Sequence, residues 1–131
     1  LYDQLNDIDH ILNLKKKIFT NYNKLLEKEI SENKIIKLKN EANTEQSYWM
    51  YCIIIKGINY DEIEKYMNSK NIQIRPFFYD IRKHEHLKDI KVNYNECENS
   101  KCGIMLPSYP ELKYDEQEYI CNILINVYLK K

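Results

Sequence analysis

Glycine and proline are scarce, at 2 and 3 of 131 residues, and the shortage excludes whole classes of site. Phosphate-cradling loops such as Gly-x-Gly-x-x-Gly and the P-loop need glycines close together, whereas Gly57 and Gly103 stand alone. A charge excess is missing too: 20 basic residues face 20 acidic ones. That balance argues against an electrostatic nucleic-acid binder, which carries a basic surplus. No apolar run approaches the ~20 residues that span a bilayer. The first seven residues, Leu-Tyr-Asp-Gln-Leu-Asn-Asp, are acidic and do not have a signal-peptide layout. A disulfide framework is also absent, because Cys52, Cys97, Cys102 and Cys121 lie far apart except for one Cys-x4-Cys pair. In a chain of this size that pattern belongs to a reducing compartment, and cytoplasm is the expected location.

What is abundant is aromatic: 12% of the chain, including 12 tyrosines. Asn, Lys and Ile are also heavily used, which reads as a bias towards A/T-rich codons and weakens any inference from one Lys or Asn. The length predicts one domain, residues 1–131, able to bury roughly two thirds of its unfolded surface. Residues 1–30 read as one amphipathic helix with Leu5, Ile8, Leu12, Phe19, Tyr22 and Leu26 on its stripe, widened by Ile11, Ile18 and Leu25. Lys15, Lys16 and Lys17 then fall on a solvated face. Leu1 is already in register with no capping residue before it, which predicts that the chain continues a longer one.

A short strand follows at Ile35–Leu38, then a polar loop, then Tyr48–Ile55, apolar on both faces as a covered central strand should be. Asn59 and Glu62 have capping-box spacing ahead of a helix whose inner face carries Ile63, Tyr66 and Met67. After residue 90 the chain is polar and reads as a loop with a short helical turn, giving way to a brief strand, Gly103–Leu106, stopped by Pro107. The last helix begins near Tyr114 with Tyr119 or Ile120, Ile123 or Leu124, and Val127 or Tyr128 at core spacing. Together these elements predict an α+β fold. It has a small, largely antiparallel sheet of three or four strands, a long N-terminal helix, a middle helix and a C-terminal helix.

Ile72–Ile90 is the stretch richest in chemistry. Ile72 and Ile74 alternate with Gln73 and Arg75 as a strand does, and Pro76 should end the pairing. Phe77, Phe78, Tyr79, His84 and His86 then crowd into a segment of no regular period. Loops with large and titratable side chains held by a strand are where binding commonly sits; the other reading is that the aromatics plug a core beneath the loop.

The run Arg75-Pro-Phe-Phe-Tyr79, followed two dozen residues later by Leu106-Pro-Ser-Tyr-Pro-Glu-Leu112, resembles the C-terminal domain of the DegT/DnrJ/EryC1/StrS family. Ser47-Tyr48-Trp49 adds to the likeness, which covers nearly all 131 residues but only about the last third of a family member. The resemblance implies the small domain of a fold-type I aminotransferase that uses pyridoxal phosphate to pass an amino group from glutamate to a keto-sugar nucleotide. It further implies a homodimer, and a large domain, outside this chain, that carries the Schiff-base lysine and the phosphate cup.

On that reading no residue here is catalytic, and this chain alone binds no cofactor and is inactive. Its part is one wall of the sugar-nucleotide cleft. Arg75 would contact a phosphate or carboxylate through its fork, or else serve as a surface ion pair. Phe77 and Tyr79 would stack on the sugar. Three departures stand out. Asn71 replaces the usual Gly, which Asn tolerates because it visits the left-handed conformation. Lys113 replaces the usual Thr or Ser cap. Asp80-Ile81-Arg82 stands where the family has Pro and soon a His, so His84 or His86 is the candidate substitute and the sugar specificity is open.

Two readings from other classes accompany this one. A stand-alone binding or assembly module could keep the fold without the chemistry. A small zinc domain could use His84, His86, Cys97 and Cys102 as a tetrahedral set.

Overall fold

The computed structural model describes residues 5–78, 85–87 and 103–129. The N-terminal helix is broken in two: α1 spans Ile8–Leu25 and α2 spans Glu27–Ser31. The break falls at Leu26, a fully buried side chain whose backbone leaves helical geometry at φ −105 and ψ 11. The expected stripe is correct only for its second half. Ile18, Phe19, Tyr22 and Leu26 are core, while Leu5, Ile8 and Leu12 are exposed.

The strands are β1 (Ile35–Lys37), β2 (Tyr51–Ile55), β3 (Arg75–Pro76) and β4 (Gly103–Leu106), in the spatial order β1-β2-β4-β3 with every pair antiparallel. Helix α3 (Tyr60–Asn68) connects β2 to β3, and α4 (Tyr114–Leu129) closes the chain. The α+β architecture is thus as the sequence predicts. β2 is central and buried along most of its length, but it begins at Tyr51 and not at Tyr48. Tyr48 has φ +52, a left-handed conformation that no strand residue can hold.

The strand expected at Ile72–Arg75 is displaced. Ile72 and Ile74 are buried, yet ladder pairing starts at Arg75, opposite Met105, and continues through Pro76, opposite Ile104. Phe77 extends it by donating its N–H to the Gly103 carbonyl at 3.1 Å. Pro76 does not stop the pairing because it sits on a flanking strand, where its missing donor costs no rung on the β4 side.

Local endings follow the side chains. Asn59 accepts the Glu62 N–H at 2.9 Å and caps α3. At its far end the Asn71 N–H reaches the Asn68 carbonyl and the Ile72 N–H the Met67 carbonyl, with Asn71 at φ +59. This is a Schellman ending with Asn in the position glycine usually takes. Asn33, at φ +57, ends α2 with the same pair of bonds, from Asn33 to Ile30 and from Lys34 to Glu29. Lys113 offers α4 no side-chain cap, but Glu116 reaches back to the Lys113 N–H at 2.8 Å, supplying the return half of a capping box.

One face of the sheet carries the core. Tyr51, Ile53, Ile55, Ile104 and Leu106 meet Ile18, Phe19 and Tyr22 of α1 and Ile120, Cys121 and Leu124 of α4. Of the alternatives at α4, Ile120 and Leu124 are the buried members, and Tyr119 faces out. Among the described residues no helix is long and apolar enough to cross a membrane.

Candidate functional site

The β2–β4 ladder runs out at Tyr51 opposite Leu106; on the β2 side the left-handed Tyr48 turns the chain away from extended geometry. Beyond that point the two chains are unpaired, and a groove of about 930 Å³ is lined by both of them, the Asn71–Gln73 segment and the start of α4. Arg75 lies along it, exposed, with Met105 and Leu106 forming its floor. Asp115, Glu116 and Tyr119 project from the first turns of α4.

At the mouth stands an aromatic ledge. The rings of Trp49 and Phe78 stack at 6.2 Å between centroids, 17° from parallel. Trp49 is 64% exposed and Phe78 73%. Two large aromatics held together in solvent have their apolar faces available to a ligand. Phe77 turns the other way: its ring lies over Gly103 so closely that a Cβ there would meet it at 2.4 Å. The loop therefore splits the two roles the sequence left open, with Phe78 presented and Phe77 packed.

Lys15 belongs to this site and not to a solvated face. Its ammonium donates to the Trp49 carbonyl at 2.7 Å and the Ser108 carbonyl at 2.6 Å. Burial pushes its pKa below the ordinary lysine value. Sequence reasoning passed over it because Lys15-Lys16-Lys17 looks like one solvated run. Only the neighbouring Phe19, four residues on and on the same helical face, could have signalled that Lys15 turns inward.

Of the predicted site residues, the structure brings Arg75 to the groove, while the Phe77 ring packs on Gly103 and is not part of the groove's lining. His86 is exposed on a 3₁₀ turn, Glu85–Leu87. Tyr79 and His84 lie outside the described residues, as do Cys97 and Cys102 of the zinc set. Among the described residues no group of three or more His, Cys, Asp or Glu side chains is placed to hold a metal ion.

The profile of the DegT/DnrJ/EryC1/StrS aminotransferase family matches residues 1–125, and the chain belongs to that family, whose members depend on pyridoxal phosphate. A curated relative, GDP-perosamine synthase of Vibrio cholerae, is 29% identical over 131 residues, covering 95% of this chain and 35% of its own. The chain thus spans about a third of that relative's length. Among solved structures it is similar to Helicobacter pylori PseC, an aminotransferase involved in the biosynthesis of pseudoaminic acid. The TM-score is 0.81 at 11% identity, over 99% of this chain and 36% of that one. It is also similar to an Escherichia coli GDP-4-keto-6-deoxy-D-mannose-3-dehydratase with bound hydrated PLP, at TM-score 0.76 and 19% identity, over 94% and 33%. At these identities the two structural likenesses show the fold.

Proposed function

We propose that this chain is the C-terminal part of a sugar-nucleotide aminotransferase and forms one wall of its substrate cleft. The parent protein passes an amino group from glutamate to a keto-sugar nucleotide, in the cytoplasm, as a homodimer. The observation that carries the reading is the groove at the unpaired end of the β2–β4 ladder, with a guanidinium and an aromatic ledge on its rim. Rings of that kind stack on the apolar face of a sugar, and the Arg75 fork suits a diphosphate. The likeness to a GDP-perosamine synthase supports a nucleotide sugar as the ligand class.

The described residues of the groove do not fit pyridoxal phosphate itself. A phosphate cup needs free N–H groups and positive potential at a helix N-terminus. Here α4 begins with Asp115 and Glu116, and the Glu116 carboxylate already occupies the Lys113 N–H. The ammonium in the groove, Lys15, is committed to two carbonyls. The cofactor, which would supply the amino-group chemistry, is therefore assigned to a large domain beyond this chain. The work left to these residues is to bind, orient and shield the sugar.

The test is to incubate the full-length protein with pyridoxal phosphate, glutamate and a panel of GDP- and UDP-linked 4-keto sugars, and to analyse the products by mass spectrometry. An aminated sugar nucleotide with matching 2-oxoglutarate is expected. Loss of water from the sugar without nitrogen gain would replace transfer by dehydration. Binding of the sugar nucleotide without turnover would mark a binding module.

A further inference from the structure

Tyr48 and Trp49 sit where the chain is least able to hold itself. Tyr48 is left-handed at φ +52, a conformation that a bulky residue keeps only when its surroundings over-determine it. Trp49 is two residues short of the last β2–β4 pair, and Ser108 is two residues past it on the other strand. The ladder has no rung for either carbonyl.

Helix α1 supplies what the ladder lacks. Phe19 packs edge-on against Tyr48, with centroids 5.2 Å apart and planes at 89°. One turn earlier, Lys15 bridges the Trp49 and Ser108 carbonyls with one ammonium. Residues four apart lie on one face of a helix, so a single stripe of α1 grips both residues of the turn.

We propose that Lys15 is a positioning residue. It replaces the missing rung of the sheet, fixes the backbone under Trp49, and thereby holds the Trp49–Phe78 ledge over the groove. The catalytic consequence rests on the groove being the sugar-nucleotide wall; the mechanical consequence does not. A solvated lysine of the Lys16 kind would have neither.

Trp49 is the sole tryptophan of the 131-residue protein, so its fluorescence reports on the ledge alone. Time-resolved anisotropy reads side-chain and loop wobble on the picosecond–nanosecond scale. Lys15→Met removes the donors and keeps the stem; the amplitude of the fast depolarisation should about double. Lys15→Arg, which can still reach two carbonyls, should restore the parental decay, and Lys16→Met, with the same loss of charge next door, should leave it unchanged.

A folded Lys15→Met protein with parental anisotropy overturns the proposal. Should that variant not fold, Lys15→Leu, which likewise has no donor, is read in its place, and parental anisotropy there overturns it equally. In the full-length enzyme the same Lys15→Met change should raise KM for the sugar nucleotide several-fold with a smaller effect on kcat. A looser ledge with unaltered KM supports the staple and counts against the groove as the sugar wall, so the two ideas fail separately.

Discussion

At the scale of single residues, the core is notable for polar groups that burial has altered. The Cys121 thiol is pushed up to about 12 from an ordinary 9.0 by burial, with the Glu29 carboxylate adding to the effect. Burial likewise raises the Tyr22 and Tyr51 hydroxyls above the ordinary tyrosine value. For each of these groups the folded state favours the protonated form, and the stability this brings is fully present below the unfolded pKa. It is lost as pH rises through the folded value. Lys15, lowered by burial, acts in the opposite sense, but one half-covered ammonium is outweighed by three deeply buried groups. The urea midpoint should therefore hold level across neutral pH and fall steadily above about 9; a midpoint that is flat to strongly alkaline pH would contradict this account.

At the scale of elements, β4 and the residue after β3 meet closely at Gly103 and Phe77. Gly103 has no side chain because the Phe77 ring occupies the space, with three ring atoms at 2.4 to 2.8 Å from where a Cβ would be. Gly103→Ala must displace that ring or the strand. The expected cost is about 1–3 kcal/mol, read from thermal or urea melts; on the proposed cleft-wall role, the full-length protein should also grip the sugar nucleotide more weakly as Phe77 and Phe78 are lifted. Unchanged stability would mean that Phe77 has room to move.

How far such elements could be read from the sequence depended on where their information lies. β4, α3 and α4 were legible because period, cap and stop are all local: Asn59 before α3, Pro107 after β4, and Asp115 and Glu116 in the first turn of α4. The Asn71 turn was legible for the same reason. β3 was misplaced by a few residues because buried isoleucines at 72 and 74 look like strand whether or not a ladder pairs them. The break at Leu26 and the left-handed Tyr48 are set by what they pack against, and neither leaves a mark in composition. The groove's rim was half legible: Arg75 and the aromatic run stood out, while Lys15 was hidden among its neighbours and Trp49 entered only within the Ser47-Tyr48-Trp49 likeness.

At the scale of the whole molecule, the apolar surface is unevenly finished. Leu5, just before α1, and Ile8 and Leu12 at its start recur at helical spacing, all exposed, and Lys15, one turn beyond Leu12, is bonded to Trp49. An uncovered stripe running towards an exposed aromatic pair is the kind of surface that other protein covers. Changing Ile8 and Leu12 together to Gln should alter the stability of this chain by no more than about 0.5 kcal/mol per site. The same change should raise the monomer fraction of the 131-residue protein in sedimentation velocity at high concentration. Equal association of parent and variant would place the sticky surface elsewhere.

Gln117 carries a last consequence. It is fully buried on α4, where its amide nitrogen donates to the Ile18 carbonyl at 2.9 Å and its oxygen accepts from the Asn21 amide at 2.9 Å. Neither helix can slip along the other without stranding an amide in a dry interior, a penalty that apolar neighbours would not impose. Positions 21 and 117 are therefore bound to drift as a pair. Among relatives, wherever one has turned greasy the other should have followed, and lineages that kept only half of the lock should be rare.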